Sequence, residues 1–261
     1  MSLNLGIMKM IIHSRIYAAL FFLMTFFLLM SSGCKEDEEV PVILETGTMT
    51  DIEGNIYMTV KIGSQWWMAE NLKVKRYRDS SLITQANTDV QWSTDTAGAY
   101  TPYGNYDNIT NASVYGYLYN WHAVRNTSSL APTGWHIPTD EEWKTLEREI
   151  GMSATETDNS GWRGSDEGEK LKKESPQGWT QYSDVWSTNE SGFTALAGGC
   201  RLFDGRPTDP GLFATGFWWT SSTYTGTNSE AWYRYLDYKK KNVFRSTCSK
   251  NYGYSIRCVK D

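Results

Sequence analysis

Hydrophobic and polar positions along this chain alternate in short runs far more often than they recur at helical spacing. Runs bounded by Gly, Asn, Asp and Ser predict strands from Tyr57 to Ile62, Gln65 to Met68, Gly216 to Ser221, Glu230 to Asp237, Val243 to Arg245 and Gly253 to Val259. The clearest helix begins at Pro138-Thr139-Asp140-Glu141-Glu142-Trp143. Thr139 can cap it, Glu142 completes a capping box, and the acids sit at the positive end of the dipole. It runs to about Ile150, with Gly151 ending it, and a second helix covers Gly168 to Glu174, stopped by Pro176. The pattern predicts a loop-rich α+β domain of short antiparallel strands with one or two short helices.

One apolar run stands apart. Residues 1–33 carry Lys9 and Arg15, no acid, and an apolar stretch from Ile16 to Met30, which reads as an export signal. It finishes in Ser31-Ser32-Gly33-Cys34, which resembles a bacterial lipoprotein lipobox. The resemblance implies a diacylated Cys34 thiol, cleavage before it and acylation of the new amino group. Two or more chains, at about 0.8 kcal/mol per buried methylene, make a stable membrane anchor. An uncleaved membrane helix and an unlipidated secreted protein are the alternatives. Lys35-Glu36-Asp37-Glu38-Glu39 resembles a lipoprotein export signal of Bacteroidota and reads equally as a solvated tether. The expectation is an outer-membrane lipoprotein exposed at the cell surface, with a signal peptide over 1–33, an acidic tether over 34–50 and one domain over 51–261.

Composition narrows the function classes. With 261 residues, 40% hydrophobic and 14% aromatic, the chain can bury a core and is too apolar for disorder. Its formal charge of −5 gives no electrostatic footprint for nucleic acid. Its 12 Trp and 16 Tyr residues favour flat amphipathic side chains, in a core or on a surface.

Ordered segments of the domain resemble one family. They include Val60-Lys61-Ile62-Gly63-Ser64-Gln65-Trp66-Trp67-Met68-Ala69-Glu70-Asn71-Leu72, Tyr115-Gly116-Tyr117-Leu118-Tyr119-Asn120-Trp121 and Pro132-Thr133-Gly134-Trp135-His136-Ile137-Pro138-Thr139. Gly216-Phe217-Trp218-Trp219-Thr220-Ser221-Ser222 and Gly253-Tyr254-Ser255-Ile256-Arg257-Cys258-Val259 complete the set. Together they resemble the Fibrobacter succinogenes major paralogous domain, from Asp51 to Asp261. The resemblance implies exported, often lipid-anchored proteins and a C-type-lectin-like fold, distantly related to formylglycine-generating enzymes; it implies no activity. Relatives often carry a cysteine where this chain has Ala131, which deprives Cys258 of its partner. The expected pairing is Cys200 with Cys248, leaving Cys258 buried; a Cys248 to Cys258 bridge would have to join cross-strand neighbours.

Candidate chemistry is sparse. His122 and His136, the histidines of the exported part, stand outside any ligand-type spacing, and His136 reads as a structural hydrogen-bonding residue. No Gly-x-Ser-x-Gly elbow is present, and helix capping accounts for Asp140-Glu141-Glu142 without a glycosidase pair. A formylglycine-generating-type oxidase would need two reactive cysteines that no motif here supplies. No catalytic residue, metal site or cofactor is assigned. Asp107 and Asp209 sit in loops with hard-cation oxygens, which leaves calcium open beside ordinary Asx turns. Most strand tryptophans are expected in the core, with each Trp-Trp pair sending its two rings to opposite faces. The loop aromatics Trp92, Tyr100, Tyr103, Tyr106, Phe213 and Tyr224 are expected to form an exposed platform. The functional expectation is a lipid-anchored, non-enzymatic module binding a glycan or a surface protein through the loops from Asp79 to Thr110 and Phe203 to Phe217. The alternative is a structural subunit of a surface complex.

Overall fold

The computed structural model describes residues 43–103, 109–174, 178–207 and 214–261. The export signal and Cys34 lie outside them. One compact unit spans Leu44–Asp261. It opens with an antiparallel meander of β1 (Thr46–Thr50), β2 (Ile56–Ile62) and β3 (Gln65–Met68). β1 corrects the expected tether. Thr46 pairs with Val60 and Thr50 with Ile56, so the domain begins before Asp51. The segment is short and mostly threonine, and Met49 is the position it buries.

The chain continues through β4 (Thr84–Gln85), α1 (Asp89–Thr94), β5 (Ala99–Pro102), α2 (Ile109–Tyr115), β6 (Tyr117–Asn120) and α3 (Trp121–Val124). Next come β7 (Trp135–His136), α4 (Asp140–Glu149), α5 (Ala154–Thr157), β8 (Gly161–Arg163) and α6 (Glu167–Leu171). The last elements are β9 (Thr215–Thr223), β10 (Glu230–Asp237), β11 (Val243–Ser249), β12 (Gly253–Tyr254) and β13 (Val259–Lys260). They form three sheets, ordered β1-β2-β3-β13-β7, β8-β11-β10-β9 and β12-β6-β5-β4. All pairings are antiparallel except β4 with β5.

The α+β class stands, with six helices among the described residues instead of one or two. α6 is the second expected helix, ending at Leu171 short of Glu174, while α3 and α5 have four residues each, too few for a helical period to show. α4 follows the sequence closely. The Thr139 side chain accepts from Glu142 N, the Glu142 side chain accepts from Thr139 N, and Gly151 follows with φ +123°. The strand expected from Gly253 to Val259 is instead two short strands. Between them the backbone changes partners: Ser255 bonds Phe217 and Trp219 of β9, while Ile256 and Cys258 accept from Leu72 and Met68. This short stretch stitches β9 to the segment that follows β3.

The core is aromatic. Trp67, Trp143 and Phe193 meet edge to face with centroids 5.1 to 5.9 Å apart, and Trp218 packs on Phe193 at 6.3 Å. Of the Trp-Trp pairs, Trp66 is half-buried over a buried Trp67, whereas Trp218 and Trp219 are both buried because β9 is covered on both faces. Arg257, wholly buried, donates to Asn71 Oδ1 (3.0 Å), to Thr194 O (2.8 Å) and to Phe193 O, tying the final segment to the core.

Candidate functional site

The sheet β8-β11-β10-β9 has two chemically different faces, and alternation along β10 separates them. Arg234 and Leu236 point inward with Val243 and Arg245 of β11, while Tyr233 and Tyr235 point the other way with Phe244.

The inward face carries charge. Asp140 and Glu147 project from α4 toward three guanidiniums. Arg234 donates to Asp140 Oδ1 at 2.8 Å and to Glu147 Oε1 at 2.6 Å. Arg163 grips both Glu147 oxygens at 2.8 Å, and Arg245 holds Asp140 at 2.6 and 3.0 Å. Burial alone would raise the Asp140 carboxyl, but Arg245 and Arg234 overrule it and hold it well below the ordinary carboxylate range. The Asp140-Glu141-Glu142 cluster is thus divided between this clasp and the helix cap. Glu142 also accepts from His136 Nε2 at 2.7 Å, and His136 Nδ1 meets Asp261 at 2.7 Å, a structural role as the sequence implied.

The outward face carries rings. Trp162 pairs across strands with Phe244, Phe244 with Tyr235, and Tyr235 with Phe217, so one register level crosses all four strands with an aromatic side chain at every step. At about 4.8 Å per strand the row spans roughly 14 Å. All four side chains are half-buried. Phe217 stacks on Tyr235 (4.5 Å, 9°) and on Tyr254 (5.0 Å, 15°), and Trp162 and Tyr235 meet Phe244 edge to face. Tyr233, Tyr252 and Phe203 extend the surface through Tyr254, and Phe203 is 51% exposed. Burial and the Asp237 carboxylate push the Tyr235 hydroxyl up, so it stays a neutral donor to Asp237.

The loop platform expected from the sequence is not assembled. Trp92 is fully buried, donating to Asn251 O at 2.7 Å beneath the Arg201 guanidinium. Tyr100 is buried against Tyr117 at 4.9 Å. Both follow from packing: Trp92 is the residue that α1 buries, and β5 is an inner strand of its sheet. Tyr103 packs tilted against Tyr115 at 4.9 Å, while Tyr224 meets Trp232 of β10 edge to face at 5.6 Å. Tyr106, Asp107, Asp209 and Phe213 lie outside the described residues. The Cys200 to Cys248 bridge is also corrected. Cys248 is a thiol donating to Tyr254 Oη at 3.3 Å, and Cys258 is a buried thiol; burial pushes both up in pKa. Among the described residues no three His, Cys, Asp or Glu side chains cluster as a metal site would require.

A family model described as the Fibrobacter succinogenes major domain matches residues 60–260. The chain belongs to that family. The Fibrobacter succinogenes major domain match opens within β2, and β1 lies ahead of the matched span. Every ring of the outward face falls inside the matched span. No curated protein and no solved structure matches the chain.

Proposed function

We propose that this chain is a non-enzymatic binding module, held through a lipidated Cys34 at the outer membrane and displayed at the cell surface, that docks a partner protein on its aromatic sheet face. The observation that carries the reading is the packing of Phe217. Both of its faces are covered, by Tyr235 and Tyr254, so the β9 end of the row offers a ring edge to solvent. A sugar stacks on a free ring face, whereas protein interfaces are enriched in Tyr, Trp and Phe packed in any orientation. The raised Cys248 and Cys258 thiols favour binding over oxidase chemistry, which needs a low thiol pKa.

A glycan is the second reading, favoured by one groove. About 430 Å³ in volume, it is lined by His122, Asn228, Ser229, Lys250 and Asn251, a dense set of hydrogen-bonding groups. The two readings part in one experiment. A photo-reactive residue placed at Trp162 or Phe244 on intact cells should form a discrete protein adduct that the same probe at exposed Val90 does not form. Equal adducts from both positions, or none, would reject the docking face. Binding on a glycan array that His122→Ala and Asn251→Ala abolish would instead move the function to the groove.

A further inference from the structure

A second groove, about 680 Å³ in volume, lies between the β1–β2 turn, the stretch after β3 and α2. Lys73, Lys75 and Arg76 line it, with Glu53 from the turn, Ser113 of α2 and Tyr117 of β6. Three cations facing one carboxylate reverse the sign of a chain whose formal charge is −5. The cations are held in place without being neutralised. Lys73 Nζ sits 5.3 Å from the Tyr57 ring centroid and Lys75 Nζ 5.9 Å from that of Tyr117, and neither makes an ion pair among the described residues. Rings attract an ammonium weakly and leave its charge to a ligand. Residues 73 and 75 point to one side because the segment is extended, and Glu53 clamps it by accepting from Lys75 N at 3.1 Å.

We propose that this groove binds an acidic oligosaccharide, one whose sugar units carry carboxylates. Lys73, Lys75 and Arg76 meet the carboxylates; Glu53 meets the sugar hydroxyls. Glu53 separates this ligand from a denser anion. A polyphosphate is repelled by it, whereas a sugar chain with one charge per unit has hydroxyls that need an acceptor. The volume lies within the range of small-ligand sites. The inference is independent of the docking face, with which the groove shares no residue.

The test is calorimetric titration of the full chain in detergent with an oligogalacturonate, its carboxyl-reduced neutral counterpart and polyphosphate. Wild type should bind the oligogalacturonate and not the neutral chain. Lys73→Gln and Lys75→Gln should each weaken binding about tenfold, the loss of one charge-assisted contact. Thermal unfolding of each variant should stay at the wild-type midpoint, since neither ammonium is buried. Glu53→Gln is the deciding variant, because Gln can still accept from Lys75 N. Weaker binding supports a hydroxyl-accepting Glu53. Tighter binding, equal competition by polyphosphate, no binding by wild type, or lysine variants that bind normally would each overturn the proposal.

Discussion

Replacing Glu147 by Gln removes one charge from the clasp under the sheet and keeps the side chain's shape. In the native domain three guanidiniums share two carboxylates, and Glu147 alone receives Arg163 through both oxygens and Arg234 through Nε. Arg163, Arg234 and Glu147 are all buried. A neutral amide can accept from one of these arginines and turns an N–H toward the other, so at least one guanidinium is left buried against a donor. Breaking a buried ion pair from one side costs about 3–5 kcal/mol. For a domain running from Leu44 to Asp261 each kcal/mol lowers the midpoint by about 2–4 °C, so the variant should melt roughly 6–20 °C below wild type. Far-UV and near-UV circular dichroism on heating, with urea titration at neutral pH, would measure the loss. Adding Arg163→Met to Glu147→Gln removes the stranded cation and should recover part of it, a coupling that a surface effect lacks. A Glu147→Gln loss below about 1 kcal/mol, the scale of an exposed pair, would refute the account of the clasp.

Three further outcomes follow from buried groups. Burial lowers the Lys172 ammonium to about 8 from 10.5, although its Nζ donates to Asp237 O at 2.8 Å. Because the unfolded chain binds the extra proton between those values, stability relative to Lys172→Met should rise from pH 8 toward pH 10.5 by about 3 kcal/mol and be flat below pH 8, as urea midpoints across that range would record. Partial burial alone would depress His136, but the Asp261 and Glu142 carboxylates raise it above 6.5, so its contribution is full below pH 6.5 and fades as pH rises through the raised value. Comparing wild type with His136→Asn over that interval should show the wild-type advantage shrinking. Trp92→Ala should cost about 3–5 kcal/mol of stability, as for a core indole, and a variant that melts like wild type yet loses binding would restore Trp92 to an exposed platform.

What could be read from the sequence was what is encoded locally. The Thr139 and Glu142 spacing specifies a helix start by itself, and the run from Glu230 to Asp237 is the strand observed. β1 was hidden because five residues of Thr, Gly and Met beside an acidic run carry little apolar signal. The aromatic sheet face, where a loop platform was expected, was hidden for a deeper reason. Alternation divides β10 into a Trp232-Arg234-Leu236 set and a Tyr233-Tyr235 set, and charge sends the arginine outward in any estimate based on hydropathy alone. The opposite holds because α4, more than eighty residues earlier, delivers Asp140 and Glu147 to Arg234. A signal was present in the acids that cap α4, one of which exceeds what a cap needs.

That arrangement also explains how a loop-rich domain keeps a wide aromatic surface in register. Apolar packing alone would accept either face of β10 inside, since both carry aromatic rings and a one-residue slip exchanges them. Ion pairs do not accept it. A slip of β10 would set Tyr233 or Tyr235 against the Asp140 and Glu147 carboxylates and leave the Arg234 guanidinium without partners, a penalty of several kcal/mol. The clasp therefore acts less as a source of net stability than as a register lock, with α4 choosing which face of the sheet is covered. The row from Trp162 through Phe244 and Tyr235 to Phe217 is then fixed as a single level across four strands, because every strand in it is aligned to Arg163, Arg234 or Arg245 or is paired to one that is.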